Sequence, residues 1–164
     1  MVLAAMLFIK RSSETTQIMA VDERSDTEGA HHSLVGKQVP DDVLIFRIFG
    51  AFFFGVADRL ETVLKRARQE PKILILRMRK VLAMDATGLN ALEDLFEKLR
   101  KRRQYLILSG PHAQPYMMMD RAGFLDQLGR ENVCPDIDGA LDRAREILGL
   151  PPTPPTDALH AEKR

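Results

Sequence analysis

The sequence has few of the residues on which several kinds of site depend. It has no tryptophan and only two tyrosines in 164 residues, so it offers few aromatic surfaces on which nucleic-acid bases could stack. Its one cysteine, Cys134, excludes an intrachain disulfide and cannot form a metal site by itself. The formal net charge of +1 gives no overall attraction to nucleic acid. We therefore expect no nucleic-acid partner, no metal and no cofactor.

The N-terminal residues 1–11 are a short apolar segment that ends in two basic residues. Residues 1–9 are all apolar, and Lys10 and Arg11 follow. The segment is too short to span a membrane, which takes about 20 residues. Its basic residues follow the apolar run, whereas those of a signal peptide precede it. The pattern fits the cytoplasmic end of a transmembrane helix, and equally the first strand or helix of a soluble protein.

Two polar segments flank the part of the chain that can form a core. Residues 12–39 lack a hydrophobic period and are predicted to be a linker, with an edge strand possible over Leu34–Val39. His31 and His32 have no Cys, Asp or Glu at ligand spacing, so we interpret them as a solvated pair. Residues 151–164 are proline-rich and then charged, which predicts a disordered tail.

The apolar runs between these segments alternate between strand and helix patterns. The fraction of apolar residues, 45%, can supply a core for one domain. The predicted strands are Val43–Phe54, Ile73–Leu76, Tyr105–Leu108 and Asn132–Pro135, and the predicted helices carry apolar stripes over Ala57–Ala67, Leu89–Leu99, Pro115–Ala122 and Ile137–Leu148. Such alternation predicts an α/β domain with a mainly parallel sheet and crossover helices. Arg47 interrupts the first strand and is expected at a strand end or an edge.

The segment Asp85-Ala86-Thr87-Gly88 joins the central predicted strand to its helix. Asp85 is placed to accept hydrogen bonds from the free amides of the first helical turn, and Gly88 would let another backbone or a partner approach closely. Junctions between strand and helix are common binding places in α/β domains, although an Asp-x-x-Gly segment is often only a helix cap.

Three other groups of residues carry chemistry that could serve a function. Lys98–Arg103 contains five basic residues in six, which could bind an anion or could simply complement the helix dipole. His112 could act as a base, but no nucleophile motif accompanies it. Asp85 and Asp120 could form a carboxylate pair only if the fold brought them together. These patterns do not indicate an enzyme.

The order of elements, the Asp85–Gly88 loop and the later segment Met119–Phe124 together resemble the STAS domain over about residues 40–150. This family includes bacterial anti-sigma factor antagonists and the cytoplasmic domain of SulP-type anion transporters. The resemblance implies a SpoIIAA-like fold with a mixed, mainly parallel sheet. It also favours reading residues 1–11 as the remnant of a last transmembrane helix.

The resemblance also implies a role for the loop. In the antagonists a serine directly after the loop aspartate is phosphorylated, and the matching residue here is Ala86, which has no hydroxyl. Thr87 is the remaining candidate phosphoacceptor, and Asp85, Ala86, Thr87 and Gly88 form the expected partner-binding loop.

The function that the resemblance implies is that of a regulatory domain of a SulP-type transporter, with sulfate as the first candidate anion. It would lie on the cytoplasmic side of a bacterial inner membrane. Its expected partners are the transporter's membrane domain in cis, a cytosolic protein, and a second copy through the full transporter. The alternatives are a soluble anti-sigma factor antagonist and a sensor that binds nucleotide weakly; no Gly-rich phosphate loop supports the latter.

Overall fold

The fold was analysed in a computed structural model, which describes residues 17–20, 37–52 and 71–152. In chain order the elements of these residues are β1 (Gln17–Ala20), β2 (Val43–Phe52), β3 (Ile73–Met84), α1 (Ala86–Lys101), β4 (Tyr105–Ser109), α2 (Ala113–Arg121), α3 (Phe124–Leu128), a short 3₁₀ helix (Arg130–Asn132), β5 (Val133–Cys134) and α4 (Ile137–Leu148). The predicted helix over Ala57–Ala67, residues 1–11 and nearly all of the C-terminal tail lie outside the described residues.

The five strands form one sheet in the spatial order β1-β2-β3-β4-β5. The strands β2, β3, β4 and β5 are parallel to one another, and β1 pairs antiparallel with β2. The α/β class and the mixed, mainly parallel sheet are therefore confirmed. Because parallel strands end at the same edge, every loop that follows one of these strands opens at the carboxyl edge of the sheet.

Helices cover both faces of the sheet, as the apolar runs of the strands require. The first six residues of β3 are all buried, so neither face of this strand reaches solvent there. Leu74 and Leu76 contact the core formed with α1, α2 and α3. Ile73 and Ile75 point to the opposite face, which α4 covers.

Three strand predictions are corrected by the structure. The edge strand is Gln17–Ala20; of the predicted strand Leu34–Val39, residues 37–39 form no strand and residues 34–36 lie outside the described residues. The central strand was predicted to end at Leu76 but continues to Met84, because β2 pairs with it as far as Phe52. Arg47 does not lie at a strand end or at an edge: it is the fifth of ten residues in β2, which β1 and β3 flank.

Arg47 is also buried, with 8% of its surface exposed. Its guanidinium carbon lies 5.7 Å from the centre of the Phe49 ring, a geometry that allows a cation–π interaction. The long aliphatic part of an arginine side chain can pack in a core, which is why a single charge in an apolar run does not identify an edge.

Candidate functional site

The predicted loop Asp85–Gly88 is the junction of β3 and α1 at the carboxyl edge of the sheet, and its last three residues form the first turn of α1. Met84 is the last residue of β3 and Ala86 the first of α1, so Asp85 is the only residue between the two elements. Asp85 has extended backbone angles and is the N-cap of α1, as the sequence predicted. A junction of one residue leaves the loop little freedom to move relative to the sheet.

The side chain of Asp85 organises the first turn of α1. Its Oδ1 atom accepts hydrogen bonds from the backbone N–H of Gly88 at 2.8 Å and from the hydroxyl of Thr87 at 2.7 Å. The Thr87 hydroxyl is therefore held by the loop aspartate, not by the helix backbone. A phosphate on Thr87 would have to displace this bond and would lie beside a carboxylate, which disfavours modification at this residue.

Gly88 allows a close approach between α1 and the end of β2. A Cβ atom on Gly88 would lie 1.9 Å from the carbonyl oxygen of Phe52, far inside van der Waals contact. The expectation that Gly88 admits another backbone is confirmed. That backbone belongs to β2 of the same chain, so Gly88 is buried and is not available to a partner.

The other three loop residues reach solvent. Asp85, Ala86 and Thr87 are exposed, and Leu82 near the end of β3 has 70% of its surface exposed. The loop thus presents one carboxylate, one hydroxyl and a neighbouring apolar side chain on a rigid support. Such a surface can dock a protein.

Two side chains of the α2 region hold the end of β3, and the sequence analysis did not identify the role of either. The amide of Gln114 accepts from the backbone N–H of Met84 at 2.9 Å and donates to its carbonyl at 3.0 Å. Nε2 of His112 lies 2.6 Å from the carbonyl oxygen of Arg79. Since that oxygen can only accept, Nε2 donates its hydrogen. Because β4 pairs with β3 only as far as Arg77, the Gln114 side chain supplies the hydrogen bonds that a neighbouring strand would give to Met84. No sequence motif predicts this role.

The remaining candidates are not brought to the loop. Asp120 forms an ion pair of 2.7 Å with Arg130, while the hydrogen bonds of Asp85 stay within its own helix turn. Hydrogen bonds from Arg130 to Asp126 and Asp120 raise the pKa of Arg130, so it stays charged. The basic run at Lys98–Arg103 forms the end of α1 and the turn after it, at the opposite edge of the sheet. Both Asp120 and the basic run therefore belong to other surfaces.

The described ranges contain neither a metal-binding cluster nor a membrane-spanning helix. No group of three or more His, Cys, Asp or Glu residues there could hold a metal ion. No helix there is long and apolar enough to cross a membrane. His31 and His32 lie outside the described residues.

Comparison with protein families and curated proteins gives matches over most of the chain. The STAS domain model matches residues 35–140. The putative sulfate transporter YvdB of Bacillus subtilis is 29% identical over 133 residues, which are 80% of this chain and 24% of YvdB. The chain thus spans about a quarter of the length of that relative.

Solved structures of sulfate transporter family proteins are also similar to this chain. A sulfate transporter family protein from Wolinella succinogenes is 46% identical with a TM-score of 0.64, and the match covers 69% of this chain and 93% of that one. The STAS domain of a SulP transporter from Vibrio cholerae is 31% identical with a TM-score of 0.61, covering 68% and 88%. The unphosphorylated anti-sigma factor antagonist SpoIIAA, at 18% identity and a TM-score of 0.54 over 67% and 94%, shares the fold.

Proposed function

This chain belongs to the STAS domain family and is homologous to the STAS domains of SulP sulfate transporters, and on that basis we propose that it is the cytoplasmic regulatory domain of a SulP-type secondary anion transporter. Sulfate is the first candidate for the transported anion, because the names of YvdB and of the Wolinella protein refer to sulfate. The transport pathway would lie in membrane helices upstream, and this domain on the cytoplasmic side of a bacterial inner membrane.

We propose that the domain acts by docking through the loop at Asp85, Ala86 and Thr87 together with Leu82. The single observation that carries this proposal is the exposure of these residues on a junction fixed by Asp85, Gly88 and Gln114. A rigid exposed loop can recognise the membrane domain with little loss of conformational entropy. Binding to one transport state more tightly than to another would shift the population of those states.

The first experiment is to read the open reading frame that encodes this chain upstream of Met1. Successive hydrophobic spans that run directly into residues 1–11 would support the proposal. A genuine start at Met1 would contradict it and would favour a free-standing protein.

The second experiment tests docking in the full transporter by sulfate uptake. Leu82→Lys should lower the initial rate by roughly fivefold, the low end of coupling between distant sites. The control is Leu150→Lys, an exposed leucine (41%) that follows α4 at the opposite edge of the sheet. Equal rates for both variants and the parent would remove the docking proposal without affecting the family assignment.

An anti-sigma factor antagonist remains the second candidate, since proteins of that class share the fold. Ala86 weighs against it because the phosphorylated serine of that class is missing. A pull-down that recovers an anti-sigma kinase would favour it. Titration with ATP and GTP at millimolar concentration tests the sensor alternative, and we propose that neither saturates. We also propose that the domain is not an enzyme and that a second copy meets it only within the full transporter.

A further inference from the structure

A cavity of about 410 Å³ lies at the edge of the sheet opposite the Asp85 loop. It is half open to solvent and is lined by the end of α1, the start of β4 and the segment from α3 to the 3₁₀ helix. Small-molecule sites occupy roughly 300–1,000 Å³, so this volume fits a small organic ligand. Along α1, the lining residues Phe96 and Arg100 lie about 16 to 22 Å from Asp85, so the site is separate from the proposed docking surface.

The inner wall of the cavity is apolar and is packed into the core. Leu106 and Leu128 are buried, and Phe96 packs edge-on against Phe124 with ring centres 5.7 Å apart. The wall is held in place by Asn132, whose amide donates to the Leu128 carbonyl at 2.8 Å. A ligand would therefore meet a preformed apolar surface, which lowers the entropic cost of binding.

The mouth of the cavity is positively charged. Arg100 and Arg103 line it, and among the residues that the structure describes no aspartate or glutamate does. Arg100 forms one exposed ion pair with Glu97 at 3.1 Å, a contact that water and salt weaken. Tyr105, which is 51% exposed, adds an aromatic ring and a hydroxyl at the rim. Two guanidinium groups above an apolar wall match a ligand with one anionic group and one apolar part.

The backbone of Arg103 gives a second reason to assign function here. Among the described residues it is the one non-glycine residue with positive φ, at 58°. It occupies the left-handed position that ends α1: the N–H of Arg103 donates to the Arg100 carbonyl at 3.0 Å, and the N–H of Gln104 donates to the Leu99 carbonyl at 2.9 Å. Glycine or asparagine is preferred at this position, so arginine is there at a cost in stability.

We propose that this cavity binds a small amphipathic organic anion, a carboxylate or a phosphate monoester. Its charged group lies on Arg100 and Arg103, and its apolar part lies on Phe96, Leu106 and Leu128. Arg103 defines the charge preference of the site. Its backbone conformation would favour glycine or asparagine, so the arginine is explained by the charge of its guanidinium group.

The test is an NMR titration of the full 164-residue chain, labelled with ¹⁵N. The probes are phenyl phosphate, phenylacetate, the neutral phenylacetamide and inorganic phosphate. We expect at least one of the two aromatic anions to shift the amide signals of residues 103–106 and 128–132 saturably; which of them binds more tightly identifies the head group. Phenylacetamide or inorganic phosphate binding as tightly as both anions, or shifts centred on the Asp85 loop, would overturn the proposal.

A matched pair of variants tests the role of Arg103. Arg103→Asn removes the charge and keeps a residue that tolerates positive φ, so the midpoint of thermal unfolding should not fall. Affinity for the preferred anion should fall about tenfold, the loss expected for one charge-assisted contact. Lys101→Asn removes the same charge from the exposed last residue of α1, which does not line the cavity, and should leave affinity unchanged. Equal affinities for the two variants would refute the assignment.

Discussion

Replacing Gly88 by alanine tests whether the loop is fixed by a backbone contact. The new Cβ would lie 1.9 Å from the Phe52 carbonyl oxygen and 2.8 Å from its carbon. Real Cβ atoms keep at least 3.0 Å from such an oxygen, so the start of α1 and the end of β2 must separate by about 1.1 Å. A backbone carbonyl at the end of a paired strand cannot rotate away as a side chain can. The variant must therefore displace the junction itself.

The magnitude follows from two opposing effects. Overpacking of this kind costs about 1–3 kcal/mol, and here the upper part of that range applies because the obstacle is backbone. Alanine has a higher helix propensity than glycine, which raises the free energy of unfolding by up to about 1 kcal/mol. We expect Gly88→Ala to lower the free energy of unfolding by about 2 kcal/mol, measured by urea denaturation with circular dichroism detection.

Gly139 provides a matched control on α4. It is also three residues after an N-cap aspartate, and its N–H donates to Asp136 Oδ1 at 2.8 Å, the distance found for Gly88 and Asp85. A Cβ on Gly139 would meet its nearest atoms at 3.5 Å, an ordinary contact. Gly139→Ala should therefore leave stability unchanged or raise it by up to about 1 kcal/mol. If both variants are equally stable, the contact between Gly88 and Phe52 does not fix the loop.

Three further outcomes are expected from the same structure. Asp85→Ala should lower the free energy of unfolding, measured in urea, by about 1 kcal/mol, because the first turn of α1 loses its cap. Asp85→Asn should retain most of the capping stabilisation. Gln114→Ala should cost about 1–3 kcal/mol and speed hydrogen exchange at the Met84 amide, since two backbone groups lose their partner. Burial raises the pKa of Cys134 to about 11. The folded state then keeps a proton that the unfolded state loses, so stability falls between about pH 9 and pH 11; denaturation across this range should show a smaller fall for Cys134→Ala.

The local pattern was sufficient to predict most of the fold. The Asp85 cap and the apolar stripe of α1 were predicted and are found in the structure. These features depend on residues within four positions of each other along the chain, and a local sequence pattern contains that information. The edge strand and the full length of β3 depend on pairing with distant segments, and the predictions there were wrong.

The sequence by itself determined the α/β alternation, the Asp85 cap and the absence of a hydroxyl at residue 86. It could not distinguish the two capped glycines, because Asp85–Gly88 and Asp136–Gly139 carry the same signal. Only the tertiary structure placed a strand carbonyl against Gly88. Around Gly139 it left room for a Cβ atom at ordinary van der Waals distances. The physical reason is that a cap is made within one helical turn, whereas the approach of β2 to α1 depends on how Phe52 and Gly88, 36 positions apart in the chain, pack together.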